Sequence, residues 1–337
     1  MGLALTERYI HAVEFVKRGR GLELGRFGVR QIPIGAIQEG YINDKRIVVE
    51  VLSSLRKELG MEFVSATLPE EKAYLFKTEL PKVAEENLRE AVELRLEENV
   101  PIAAKDTIFD YAVIPTESKD HVDVSVSALP LKVVDAYLEV IRAADLKPVS
   151  LSVEATTLSR ALIPKGNLGT FMIVNIAETR TGLSIVSRGV VQFSLMVPIG
   201  GDALTEGLKK RFSVDDEEAK KIKEERGFEK SRENMEIFFS LMNTVSAIKD
   251  EINKLLVYWQ THQSPSGNSA ENISKIIMCG RDCNLAGFDE YLSLTLKIPV
   301  EVGNVWQNAF SYDDFIPSIP LLDSFDYATA IGFALPE

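Results

Sequence analysis

The stretch GTFMIVNIAETRTGLSIVSRGVVQFSLMVPIGGDALTEGL, residues 169–208, reads as three successive strands joined by short turns, with Gly200-Gly201-Asp202 opening the way into a helix. Short apolar runs broken by turn residues are what a meander needs. Toward the C-terminus, Asp215–Arg226 and Asn234–Gln260 are expected to be helical. The second carries Leu241, Val245, Ile248, Ile252 and Leu255 at helical spacing. A surface loop, SPSGNSAENIS (264–274), precedes a buried strand at KIIMCG (275–280), a helix at GFDEYLSLTL (287–296), a short strand at IPVEVG (298–303) and a final helix at SFDYATAIGFAL (324–335).

Toward the N-terminus the same order recurs. Residues 2–16 read as a strand or hairpin, Leu22–Val29 as the next strand, Lys45–Leu59 as a helix with Val48, Leu52 and Leu55 on one side, and Glu62–Leu68 as a strand. Between the two units lies an α+β module: a helix in VAEENLREAVELRLEENV (83–100) with Leu88, Val92, Leu94 and Leu96 inward, strands at 107–115 and 121–130 with Ser118–Asp120 as their turn, a helix at 132–145 and a strand at 148–155. Pro101 stops the first of these helices. The pattern is an α/β chain in which a β-β-β-α unit occurs twice and a module interrupts the first copy. A fold built twice places its ligand in the cleft between the halves.

The 337 residues carry 38 Lys plus Arg against 50 Asp plus Glu, a formal charge of -12, which argues against a general nucleic-acid binder. Cys279 and Cys283 are too few for a disulfide framework and fit a reducing compartment. The three histidines, at 11, 121 and 262, are distant from them in sequence, so no metal site is expected. No apolar run reaches the roughly 20 residues that span a bilayer, and Glu7 and Arg8 interrupt any signal-like start. A GxSxG elbow, an HExxH helix, a complete GxxxxGK[ST] loop and paired CxxC motifs are all absent. The basic run from Lys209 to Arg226 reads as interspersed surface charge rather than a lipid-facing patch. Tyr258, Trp259, Phe238 and Phe239 read as packing within the long helix, and Trp306, Phe310, Tyr312 and Phe315 as core residues, with a partner surface as the sharper alternative.

Taken in order, the opening strand ending HAVEF, the central VNIAETRTGLSIVSRGVVQFSLMVPIGGDALTEGL and the terminal YATAIGFAL resemble the PilM family, the cytoplasmic actin-like proteins of type IV pilus assembly, related in fold to FtsA. The resemblance covers almost the whole chain, and VPIGGDALT is its most specific piece. It implies an actin-like, ribonuclease-H-like two-lobed fold with an inserted small α+β domain. The boundaries it implies are 1–71 and 152–168 in the first lobe, 72–151 in the insert, 169–304 in the second lobe, and 305–337 returning to the first.

The resemblance also places nucleotide loops. The first falls on Ala4–Tyr9, where Thr6 supplies a hydroxyl, Arg8 can reach a phosphate and Glu7 opposes one. The second falls on Asn175-Ile176-Ala177 with Glu178 and Thr179, where the family's Asp and Gly are replaced by Asn and Ala. Asn offers Mg²⁺ no carboxylate charge. Gly200 and Gly201 are either a loop near nucleotide or a strand-to-helix connection. Gly280 and Gly287 mark the third loop, which Arg281 and Asp282 fill. These residues form a vestigial site at which no cofactor is required, ATP hydrolysis is not expected, and ATP or ADP with Mg²⁺ is the alternative. The implied role is a cytoplasmic adaptor at the inner membrane. It would bind the cytoplasmic N-terminal peptide of PilN in a groove drawn from about Leu22–Leu55 and Lys72–Leu151, alongside other inner-membrane pilus components. A nucleotide-switched ATPase, a type II secretion scaffold and a small-molecule kinase are the rival readings.

Overall fold

The computed structural model describes residues 1–19, 21–82, 87–116, 120–261 and 271–336. The expected turn at Ser118–Asp120, the start of the helix drawn from Val83, and the loop from Ser264 lie partly or wholly outside these residues, as does His262.

The first lobe opens with an antiparallel meander of β1 (Gly2–Leu5), β2 (Tyr9–Arg18) and β3 (Gly21–Gln31). A two-rung ladder, β4 (Ile37–Gln38) with β5 (Tyr41–Ile42), leads into α1 (Lys45–Leu59). That helix starts where the Asp44 carboxylate accepts from the Ile47 N–H, and it ends at Gly60 in the left-handed conformation, with φ 58°. Val48, Leu52, Leu55 and Leu59 form its buried stripe. Strand β6 (Phe63–Leu68) then pairs parallel with β1.

Between β6 and its continuation sits a three-stranded sheet ordered β7-β9-β8, built from β7 (Tyr74–Pro81), β8 (Thr107–Ile114) and β9 (His121–Pro130). Helix α2 (Leu88–Asn99) covers one of its faces, packing Leu88, Val92 and Leu96 against Leu80, Val124 and Val126. Leu94, expected on that inner side, is 75% exposed. Leu88, Val92 and Leu96 follow four-residue steps along one face, whereas Leu94 lies two residues off that line.

Helix α3 (Leu131–Ala143) and strand β10 (Lys147–Val153) then return to the first lobe, where β10 pairs parallel with β6 in the order β10-β6-β1-β2-β3. The sheets therefore group 74–130 as the module, whereas residues 131–151, expected inside the insert, complete the lobe together with 152–153. The module interrupts a β-α-β crossover of the kind that joins parallel strands.

After α4 (Glu154–Leu162), the second lobe repeats the plan. Strands β11 (Thr170–Ile176), β12 (Thr181–Ser187) and β13 (Val190–Val197) form the meander. Helices α5 (Gly201–Phe212), α6 (Asp216–Glu225) and α7 (Met235–Thr261) follow. Strand β14 (Lys275–Cys279), helix α8 (Phe288–Leu296) and strand β15 (Val300–Val302) complete a sheet ordered β13-β12-β11-β14-β15. Position for position this matches the first sheet: three antiparallel strands, then two parallel ones. The chain closes through α9 (Leu321–Ser324) and α10 (Ala328–Ala334), the latter packed on α4 and β1.

Trp306 is fully buried, stacked on Phe310 at 5.3 Å and edge-on to Phe15 of β2, so it belongs to the core rather than to a partner surface. Of the aromatics expected to pack along α7, Phe238 turns inward beside Phe228 and Trp259 packs half-buried on the core, Tyr258 is partly exposed with its ring 5.0 Å from that of Phe193, and Phe239 is exposed.

Candidate functional site

Two concavities bear on function. The first is the cleft between the lobes, a cavity of about 390 Å³ bordered by the β1–β2 turn, the start of α5, α6 and the turn after β14. Six carboxylates (Glu178, Asp202, Glu206, Asp216, Glu224, Asp282) and five cations (Arg8, Lys209, Lys220, Lys223, Arg281) line it. The two signs nearly cancel.

Most of its charges are engaged with one another. Arg8 crosses from the first lobe to Asp202 of α5 at 2.9 Å. Arg180, from the turn after β11, reaches back to Glu71 at 3.0 Å and Glu7 at 3.7 Å, all three side chains mostly buried. Arg281 pairs with Asp326 at 3.1 Å and Glu178 at 3.8 Å, and lies over the Tyr9 ring. Lys223 pairs with Asp282. Burial pushes the carboxyl of Glu71 up, and Arg180 draws it back. Burial likewise raises Glu178, and lifts Asp326 to about 7 against the pull of Arg281.

Of the eight residues expected at a nucleotide site, only Arg8 lines this cavity. Thr6 spends its hydroxyl inside its own turn, donating to the Tyr9 carbonyl and accepting from the N–H groups of Arg8 and Tyr9. Asn175 is buried on β11, beside Cys279 and Gly280. Thr179 sits half-buried in the β11–β12 turn. The N–H groups of Gly201 and Asp202, which at a helix start would face an anion, donate to the carbonyls of Ala177 and Glu178 at 2.9 and 2.8 Å. Gly201 is tight against the Asp282 carboxylate, where any Cβ would overlap it. Gly200 packs on the same β11–β12 turn, which makes the pair a strand-to-helix connection. Gly280 takes φ +87°, a conformation that favours glycine, and Gly287 begins α8. The Thr6 hydroxyl and the N–H groups of Gly201 and Asp202 are thus taken up by the chain itself.

Sequence reasoning missed Glu70. It follows β6 in a short 3₁₀ turn, is 5% exposed, and accepts from the Ala155 N–H at 3.0 Å. Its other oxygen has no hydrogen-bond partner and borders a small cavity of about 10 Å³, lined also by Glu154 and by Asn175, Ser184 and Ser194 of the second lobe. Burial raises its carboxyl to about 6. The string LPEEK looks like a solvated turn, so nothing local marks this residue as interior.

The second concavity, about 340 Å³, lies between the module and both lobes. Its walls are Ile108–Ala112 of β8, Ser125, Ser127 and Leu129 of β9, Leu151–Val153 of β10, the first turns of α4, and Gly189–Val191. Residues 22–55, expected to contribute, do not line it. Strand β8 is the outer strand of the module sheet and β10 the outer strand of the first lobe's sheet, and both run along this groove.

Two lobes of one five-stranded plan, facing across a cleft and carrying a small inserted sheet, define an actin-like α/β protein. Solved structures bear this out. The chain is similar to a chain of a PilM–PilN type IV pilus biogenesis complex, with TM-score 0.79 and 22% identity over 99% of this chain and 96% of that one. It is also similar to the ethanolamine utilization protein EutJ from Carboxydothermus hydrogenoformans, with TM-score 0.58 and 16% identity over 99% and 88%. A third is MreB5 of Spiroplasma citri bound to AMPPNP, with TM-score 0.55 and 13% identity over 98% and 93%. The sequence profile of the type IV pilus assembly protein PilM matches residues 2–337, and the chain belongs to that family. Among the described residues, no helix is long and apolar enough to cross a membrane.

Proposed function

We propose that this chain is a scaffold of type IV pilus assembly that holds the short cytoplasmic N-terminal segment of PilN as an extended strand in the groove beside the module. The observation that carries the reading is the pair of outer strands, β8 and β10, converging on one cavity. An outer strand offers a row of backbone donors and acceptors to an added strand, and side-chain pockets along it supply selectivity. Family membership and the fold likeness to a PilM–PilN complex support this choice of partner. Such a partner would bring the chain to the inner membrane from the cytoplasmic side.

In the same reading the cleft between the lobes needs no nucleotide. Its cations and carboxylates pair across the two lobes, and the start of α5 is satisfied by neighbouring carbonyls. ATP turnover is accordingly not part of the proposal. The competing switch reading draws on a nucleotide-bound neighbour of the same fold.

Calorimetric titration of the PilN peptide into nucleotide-stripped protein, with and without Mg-ATP, tests both halves. The expected result is one-to-one binding that nucleotide leaves unchanged. Ala112 is exposed on β8 and its side chain shares the groove face, so Ala112→Trp fills the groove without disturbing the core. This substitution should weaken the peptide by at least about 10-fold, roughly 1.4 kcal/mol. Unchanged affinity in the Trp variant would move the peptide elsewhere. Peptide binding that appears only with ATP would restore the switch.

A further inference from the structure

The module sheet has two faces. Alternation along β9 sends Val122, Val124 and Val126 toward α2 and His121, Asp123, Ser125 and Ser127 to the other side. Cross-strand register sets Glu79 directly opposite Asp123 and Lys77 opposite Ser125. The apolar and hydroxyl half of this outer face lines the groove. Its far half is a cluster of Glu79, His121 and Asp123, whose ligand-capable atoms all lie within 4.8 Å of one another.

Asp123 is the informative member. It is 6% exposed, and its Oδ1 is buried without a hydrogen-bond partner. Lys77 holds only the other oxygen, Oδ2, at 2.8 Å. His121 Nε2 stands 3.5 Å from the unpartnered Oδ1. Ligands at about 2.0–2.2 Å from a tetrahedral zinc are separated by roughly 3.3–3.5 Å, so this pair already has the spacing of two neighbouring ligands. A buried anionic oxygen with no donor is a costly arrangement that a bound cation would relieve.

We infer that Glu79, His121 and Asp123 form a binding site for a zinc-class divalent transition metal at the end of the module sheet. One imidazole nitrogen with two carboxylates suits zinc, cobalt or nickel better than magnesium or calcium, which prefer all-oxygen shells. Three protein ligands leave a fourth position for water. Lys77 serves as the outer partner that orients the Asp123 carboxylate. The metal ties the C-terminal end of β7 to the N-terminal end of β9, on the same face as the groove and two to four rungs beyond it. The site is independent of the peptide reading, since none of its three residues lines the cavity.

The test is titration of tag-free, chelator-stripped full-length protein with zinc chloride, followed by competition with a chromophoric chelator, with cobalt absorption reporting coordination geometry. One zinc per chain is expected, together with a cobalt spectrum of tetrahedral intensity. Asp123→Asn and His121→Ala should each weaken zinc by about 100-fold or more, while His262→Ala and Cys283→Ser leave it unchanged. Zinc should raise the melting temperature of the wild type but not of Asp123→Asn, which separates metal loss from misfolding. Glu79→Gln, at a less buried position, serves as a second ligand variant. No saturable binding, or binding indifferent to both Asp123→Asn and Glu79→Gln, overturns the assignment.

Discussion

Replacing Glu70 by Gln should make this protein more stable at neutral pH. The carboxyl is buried with one oxygen bonded to the Ala155 N–H and the other unpartnered, and burial lifts it from its ordinary 4.5 to about 6. A rise of that size corresponds to about 2 kcal/mol. The sign follows from linkage: the folded state holds this proton more tightly than the unfolded chain. The stabilisation is therefore complete below pH 4.5 and is lost as pH climbs through about 6. At pH 8 the ionised wild type carries the full cost, and the neutral amide does not. Its oxygen can keep the Ala155 bond while its NH₂ turns toward the hydroxyls of Ser184 and Ser194, which share the same small space. With an unfolding entropy of about 2.1 cal/mol/K per residue over a chain of this length, 2 kcal/mol amounts to roughly 3 °C. Differential scanning calorimetry at pH 5 and pH 8 reads it directly. The variant should melt higher than wild type at pH 8, with the difference shrinking at pH 5. A variant that melts lower at pH 8, or a difference that does not change with pH, would refute the reasoning.

Arg180→Met leaves Glu71 and Glu7 facing each other without their cation, and should cost about 3–5 kcal/mol in urea unfolding. Adding Glu71→Gln should recover much of that loss, and strictly additive effects would mean the three charges do not act together. Gly201→Ala forces the Asp282 carboxylate off its seat beside Lys223 and should destabilise by about 1–3 kcal/mol, measurable as a lowered urea midpoint. On α2, Leu96→Ala should cost about 2–5 kcal/mol, whereas Leu94→Ala should stay within about 0.5. Equal costs at the two positions would mean that α2 is rotated from the face described.

The elements that were legible in the sequence are those whose signals are local. Helix α1 announces itself through Val48, Leu52 and Leu55, set at helical spacing on one side. The meander of the second lobe is visible because Thr170–Val197 alternates short apolar runs with tight turns. What escaped was pairing over distance. Strand β10 looks like the last strand of the module because it directly follows the module's strands, and only its parallel partnership with β6 assigns it to the lobe. The cleft was legible in outline: Arg8, Asn175 and Gly201 lie in the turns and strands around it. The partners that give them meaning were not. Asp202, Glu71 and Asp326 meet their arginines only after both lobes have folded, and an isolated acidic residue in a turn reads as solvated whether or not it is.

The insertion between β6 and α3 also has a kinetic consequence. Joining β6 to β10 means closing a loop over residues 69–146, for which the length-dependent entropy is about 4 kcal/mol. Once β7 and β9 have zipped, Tyr74 already lies opposite Ala128. The free chain left to close is then roughly 24 residues, and the same expression falls by about 1 kcal/mol, a several-fold gain in closure rate. The module acts during folding as a splint: its hairpin-like pairing forms from nearer neighbours and draws together two strands the chain would otherwise have to find across nearly a quarter of its length.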